Sequence, residues 1–248
     1  KSQKLRNNMS SILVIADLHL SSERPDISQC FFDFLIAESN QHKALYILGD
    51  LFESWVGDDD INPFTQQVAQ AIHDFSAHTS VYFIHGNRDF LLGKKYAKRC
   101  GMTLLSESHG IVDFNKSILF MHGDQLCLDD VEYQKFRSKS RTWWWKTLML
   151  CLPLSFRKNK AAEYRAMSKL SQMDKSDEIM DVAEREIQRV VQTSNCDWLI
   201  HGHTHRPNIH QLNNHKQRIV VGDWYTQGSV LLLSNNGAEL KSLPLPTN

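Results

Sequence analysis

Seven residues with oxygen or imidazole donors stand just after short apolar runs of this chain. They are Asp17 and His19 in "VIADLH", Asp50 in "YILGD", Asn87 in "FIHGN", His122 in "LFMHGD", and His203 and His205 in "LIHGHTH". No cysteine is among them. Taken singly each is weak, because a lone aspartate or histidine beside glycine is more often a turn or capping residue. Five separate apolar runs ending this way call for another reason. In an extended segment, positions i and i+2 face the same way, so Asp17/His19 and His203/His205 are each expected to present two donors to one space. Gly49, Gly86, Gly123 and Gly202 adjoin the donors and are expected to let the backbone turn sharply there. Donors gathered from several strand ends can hold two divalent ions ~3.5–4 Å apart, the separation used for in-line phosphoryl displacement. Asp17, His19, Asp50 and His205 are expected on one ion, and Asp50, Asn87, His122 and His203 on the other, with Asp50 bridging. Mixed carboxylate, amide and imidazole ligation suits Mn²⁺ or Fe²⁺ and leaves zinc open.

Such a site needs strands to carry it. "SILVIADLHL", "ALYILGD", "SVYFIHGN", "SILFMHGD", "DWLIHGHTH", "QRIVVGDW" and "GSVLLLS" read as buried strands. "ISQCFFDFLIAESN" and "NPFTQQVAQAIHDFSAH" read as helices between the early ones. Strand–helix alternation followed by closely spaced strands predicts an α/β sandwich with a mixed sheet. From Gln125 to Cys196 the pattern changes to two helical stretches, the second spanning roughly Ala161–Gln192. The expected organisation is a core of residues 9–124 and 197–248 with a helical cap, 125–196, over the strand ends where ligands of α/β sheets bind.

The ordered blocks "DLH", "GD", "GNRD", "HGD" and "GHTH" resemble those of the calcineurin-like metallophosphoesterase superfamily. The resemblance implies two sheets flanked by helices and a dinuclear centre with a bridging hydroxide. In that superfamily's usual pattern the position of Arg88 holds histidine, which can protonate an alkoxide leaving group. Arginine is permanently charged and cannot supply that proton. A leaving group stable as an anion fits better, such as a phosphate monoester with a second pKa of about 6. Arg88 would then grip the group expelled from a phosphoanhydride by charge and paired hydrogen bonds. The structural alternative is that Arg88 braces Asp89.

Longer phrases, "GDLFESWVGDDD", "GNRDFLLG", "HGDQLCLDDVEYQKFR", "GHTHRP" and "GDWYTQGS", resemble the family of UDP-2,3-diacylglucosamine hydrolases from about Ile12 to Leu233. That likeness implies hydrolysis of the substrate's pyrophosphate to UMP and 2,3-diacylglucosamine 1-phosphate in lipid A biosynthesis. It also implies two Mn²⁺ ions, with metal-activated water attacking the α-phosphorus. A peripheral location on the cytoplasmic face of the bacterial inner membrane follows from it, and a monomer is expected. On the long helical stretch, Arg165, Ser168, Gln172 and Lys175 fall at spacings of 3, 4 and 3, hence on one face. A solvated face is the ordinary reading. The resemblance instead implies that Ser168, Gln172 and Lys175, with Asp130, Asn87, Arg88 and His203, touch the substrate.

The cap sequence "RSKSRTWWWKTLMLCLPLSFRKNK" sets Trp143–Trp145, Leu148, Met149 and Leu150 between basic clusters. That pattern fits an acyl-chain slot or an interfacial surface. At 14 residues with a lysine inside, "WWWKTLMLCLPLSF" is too short to span a bilayer. Lys+Arg and Asp+Glu balance at 28 each, which argues against a nucleic-acid partner. Five cysteines without a C-x-x-C pair fit a reducing compartment. If Met9 is the start, residues 1–8 are a tag or an upstream extension. Two competing readings are a general phosphodiesterase or nuclease, disfavoured by neutral charge and an apolar cap, and a metal-free scaffold, disfavoured by the complete donor set.

Overall fold

The computed structural model describes residues 10–174 and 182–246, with the side chains of all of these except 168–174. Two sheets of six and five strands pack face to face. The first half of the chain alternates strand and helix: β1 (Ile12–Ile15), α1 (Pro25–Ala37), β2 (Ala44–Ile47), α2 (Pro63–Ser76), β3 (Ser80–Phe83), α3 (Lys94–Cys100) and β4 (Met102–Leu104). β1 to β4 pair in parallel in that order. β10 (Gln227–Ser234) adds antiparallel to β1, and β11 (Gly237–Pro244) closes the edge. The second sheet runs β5 (Ser108–Asp113), β6 (Lys116–Met121), β7 (Trp198–His201), β9 (Gln217–Val220) and β8 (Asn208–Gln211), with β6, β7 and β9 parallel.

The strand period decides which core each residue joins. Ile12 and Val14 point between the sheets, while Leu13 and Ile15 point toward the helices, and β2 divides the same way. A strand buried on both faces must be apolar throughout, so "ILVI" and "ALYI" do not alternate. α1 lays Ile27, Phe31, Phe34 and Leu35 on the helix side of the first sheet. α2 starts at a reciprocal cap, in which Asn62 Oδ1 accepts from the Thr65 N–H at 3.0 Å and Thr65 Oγ1 accepts from the Asn62 N–H at 3.0 Å. Its Val68, Ala69, Ile72 and Phe75 face the same core.

Among its described residues, the interval expected to be helical holds four α-helices, not two stretches: α4 (Val131–Ser140), α5 (Trp143–Cys151), α6 (Leu154–Asp174) and α7 (Glu184–Ser194). The long stretch expected over Ala161–Gln192 does not form one helix, because α7 starts afresh after the extended residue Ala183. Ile187 and Val191 of α7 pack with Met121 and Leu199 on the outer face of the second sheet, so the sheet-packed chain resumes by Ala183. No helix among the described residues is long and apolar enough to cross a membrane.

Candidate metal centre

The parallel strands of both sheets end at one place, and the loops after them carry the donors. Backbone hydrogen bonds continue past the strand ends and keep these loops in register. The Asp17 N–H donates to the Gly49 carbonyl at 3.1 Å, the His19 N–H to the Asp50 carbonyl at 2.9 Å, and the Gly202 N–H to the His122 carbonyl at 2.8 Å. Convergence is achieved, but the extended pleat is not its cause. Asp17, His19, Asp50, His203 and His205 all adopt left-handed backbone, with φ of 54°, 48°, 51°, 70° and 56°. Positive φ is uncommon for residues with a Cβ and marks strain held by its surroundings. Each of these strand ends turns abruptly at the donor itself.

The glycines also act differently from expectation at two positions. Gly86 and Gly202 have no positive φ. A Cβ at Gly86 would lie 2.1 Å from Asp50 Oδ1, and one at Gly202 would lie 2.3 Å from Asp17 Oδ2. They are small so that two buried carboxylates can sit against backbone.

Two triads of donor atoms lie within 4.8 Å of one another, Asp17/His19/His205 and Asp17/Asp50/His122. Asp17 therefore contributes to both, where the sequence reading had put it on one ion. Asp50 faces both sides as well, with Oδ2 3.9 Å from His19 Nε2 and Oδ1 3.8 Å from His122 Nε2. Oδ1 of Asp50 also accepts the Arg88 N–H at 2.8 Å, and Asp17 Oδ2 accepts the His203 N–H at 2.7 Å. The His203 ring stands 5.0 Å from that of His122 and stacks against Tyr133.

The residues present fit divalent cations. His122 Nδ1 lies 2.7 Å from the Leu48 carbonyl and must donate to it, so a neutral ring turns the lone pair of Nε2 toward Asn87 Oδ1, another acceptor, 2.9 Å away. Two acceptors so placed need a proton or a cation between them. Asp17 Oδ1 and His19 Nε2 are buried without a hydrogen-bond partner among the described residues, although buried polar groups are normally satisfied. Protons are drawn to the same cluster. Burial pulls the His205 pKa down, but its contact with the Asp17 carboxylate, 3.7 Å away, outweighs this and raises it to about 9. His122 is raised too, against its burial, chiefly by Asp50 and Asp17. His203 is pushed down to about 4 by burial and by His122.

Several functional residues were not identified from sequence. His19 Nδ1 faces Glu53 Oε2 at 3.3 Å, and His205 Nδ1 faces Asp223 Oδ2 at 3.3 Å. Carboxylates behind histidine ligands fix the ring and its tautomer. Asp124, fully buried, accepts from Tyr133 Oη at 2.6 Å, Arg137 Nε at 2.8 Å and Arg141 Nη2 at 3.2 Å. Arg141 Nη2 also donates to the Gly86 carbonyl at 2.9 Å, joining the first cap helix to the donor loop. The signal lay in the quoted blocks: Asp124 ends "HGD", Glu53 lies in "GDLFES" and Asp223 in "GDWY".

Arg88 does not brace Asp89. Asp89 is buried, and its carboxylate accepts the N–H groups of Leu51 at 2.7 Å and Gly86 at 2.8 Å. Burial and the neighbouring Asp50 charge push the Asp89 pKa up to about 7. No ion pair joins Arg88 to Asp89 among the described residues. Arg88 instead lines a cleft of about 340 Å³ between the donor loop and the cap, together with Asn87, Phe90, Asp130, Tyr133, Phe136, Trp145, Met149, Tyr164, Arg165 and Met167. Asp130 caps α4, accepting the Tyr133 N–H at 3.2 Å. The side chains of Ser168 and Gln172, and all of Lys175, lie outside the described residues.

Donors at the ends of parallel strands in two packed sheets define a metal-dependent phosphoesterase centre. Residues 10–207 match the model of the calcineurin-like phosphoesterase family, and the chain belongs to that family. It is 51% identical to a UDP-2,3-diacylglucosamine hydrolase of Shewanella pealeana, over 94% of this chain and 98% of that one. It is 48% identical to the UDP-2,3-diacylglucosamine hydrolase of Escherichia coli O7:K1, again over 94% and 98%. Among solved structures, vacuolar protein sorting 29 of Cryptosporidium parvum superposes with a TM-score of 0.51 at 14% identity, covering 96% of this chain and 92% of that one. At that identity the likeness speaks for the fold alone.

Proposed function

We propose that this chain hydrolyses the pyrophosphate bond of UDP-2,3-diacylglucosamine to UMP and 2,3-diacylglucosamine 1-phosphate, a step of lipid A biosynthesis. The observation that carries the reading is the junction at Asn87 and Arg88, where the donor cluster opens into an aromatic-lined cleft under the cap. A phosphoesterase for small soluble esters has no use for such a cleft, whereas a diacylated sugar phosphate fills it. The names of the curated relatives support the same substrate.

Asp17, His19, Asp50 and His205 would hold one cation, and Asp50, Asn87, His122 and His203 the other, with Asp17 also within reach of the second through its triad with Asp50 and His122 and Mn²⁺ suited to this donor mix. Two such ions would neutralise phosphoryl oxygens and supply a water nucleophile at neutral pH. The chain's own residues orient the substrate. Arg88 has its N–H on Asp50 and its guanidinium at the cleft, so it meets the departing sugar phosphate as charge develops there. Asp130 borders the cleft, where it would touch the sugar, and the sequence resemblance assigns the same role to Ser168, Gln172 and Lys175.

Trp143, Trp144, Leu148 and Leu150 stay exposed on α5, which supports contact of the cap with a membrane surface; the enzyme would act as a monomer on the cytoplasmic face of the inner membrane. The test is a Mn²⁺-dependent assay on UDP-2,3-diacylglucosamine in detergent micelles in ¹⁸O-water. Label in UMP is expected, as water joins the α-phosphorus and the bond to the sugar phosphate breaks. Label in the sugar phosphate would reverse the role given to Arg88. Hydrolysis of simple phosphodiesters without turnover of the lipid nucleotide would overturn the substrate.

A further inference from the structure

Of the phrase "GDWYTQGS", only Asp223 has a part in the centre described so far. Its neighbour Trp224 is fully buried, edge-on to Phe31 at 6.1 Å and Phe34 at 5.8 Å. The Trp224 indole N–H donates to the Ser229 carbonyl at 2.9 Å, and its backbone N–H donates to the Asp17 carbonyl at 3.1 Å. The loop is thereby fastened to the core and to the donor loop at once. Fixing Trp224 inward forces Tyr225 outward, where it is 53% exposed with its ring 6.4 Å from that of His19.

Arg24 holds this tyrosine from beside. Its Nη2 donates to the Tyr225 carbonyl at 2.9 Å, and its guanidinium stands 5.8 Å from the ring. Nε and Nη2 also grip Asp26 at 2.9 and 2.7 Å, while Nη1 has no partner among the described residues. An aromatic face beside His19 and a cationic donor held against it therefore stand together, and neither Tyr225 nor Arg24 lines the cleft that holds Arg88.

We infer that Tyr225 and Arg24 form the subsite for the nucleobase of the substrate. This rests on the reading of the chain as a UDP-sugar-lipid pyrophosphatase and completes it. If the sugar phosphate departs into the cleft, the nucleoside on the same phosphorus must lie elsewhere, and Tyr225 stands exposed outside that cleft. Uracil offers a π face for the tyrosine and carbonyl acceptors for Arg24 Nη1. Polar neighbours, Arg24 and Asp26, suit a base better than a lipid tail.

Calorimetric titration of the Mn²⁺-loaded protein with UMP, without lipid, tests the subsite independently of turnover. Tyr225→Ala should weaken UMP about tenfold, the scale of one lost base stack. Tyr225→Phe should restore it, and the affinity for 2,3-diacylglucosamine 1-phosphate should not change. In steady state the alanine variant should raise KM for UDP-2,3-diacylglucosamine by a similar factor with kcat within about twofold. Equal UMP binding by wild type and Tyr225→Ala, no UMP binding by wild type, or parallel loss of both ligands would each overturn the inference. Turnover of UDP-2,3-diacylglucosamine by the wild type reports separately on the functional reading beneath it.

Discussion

The floor of the site and its cap are fixed by different means. On the floor, Asp17, Asp50 and His122 are at most 2% exposed, and backbone hydrogen bonds between successive loops hold them. The cap has little core of its own: no residue of α5 is fully buried, and Trp143 is 79% exposed. Charge ties it down, and at two places one side of the pair is buried. Arg137 and Arg141 reach Asp124, and Arg157 reaches Asp59 and the Val56 carbonyl. Donors that must keep their geometry before the ion arrives are built into the sheet ends. A cover that must admit a large substrate is attached by a few removable contacts.

The largest expected effect comes from cutting the inner attachment. Asp124→Asn leaves two guanidinium groups facing a neutral amide and should cost roughly 3 kcal/mol or more, read as a lower denaturation midpoint with proteolysis starting in the cap. The pH dependence has a definite sign. Burial would raise the Asp124 pKa, but Arg141, His122 and Arg137 hold it well below the usual range. A depressed folded pKa means that the contribution is whole above about pH 4 and fades as pH falls from there toward the folded value. Wild type should therefore lose stability in acid along a slope that Asp124→Asn lacks.

Arg88 lies on the seam, with its backbone in the floor and its side chain under the cap. Arg88→Ala should lower kcat about 10²–10³-fold with metal content unchanged by elemental analysis; loss of metal instead would place its main role in the floor. A smaller effect should follow Gly86→Ala. Its added Cβ would collide with Asp50 and weaken metal affinity about 10–100-fold, measured by titration of the metal-free protein. If affinity holds, the floor is softer than its close packing implies. The smallest effect belongs to the outer face of the cap. Trp143→Ser with Leu148→Ser should reduce co-sedimentation with anionic vesicles a few-fold, about the loss of two partly buried apolar side chains, and should leave stability nearly unaltered.

Central strands were legible in the sequence because burial on both faces makes them continuous apolar runs, as in "ILVI" and "ALYI". The four strands that escaped notice, β4, β5, β8 and β11, are the four sheet edges. "SHGIVD" and "GAELKSLP" carry polar residues because one side of an edge meets solvent. All seven candidate donors announced themselves by type and by position after apolar runs. The left-handed turns that aim five of them, the sharing of Asp17 between two triads, and the approach of Glu53, Asp223 and Asp124 came only with tertiary structure. Residue type and local hydropathy are properties of the chain itself, so the sequence determined which donor types would stand after the buried strands. Which groups stand behind them depends on contacts between loops far apart in the chain, and no local pattern encodes a distance across the fold.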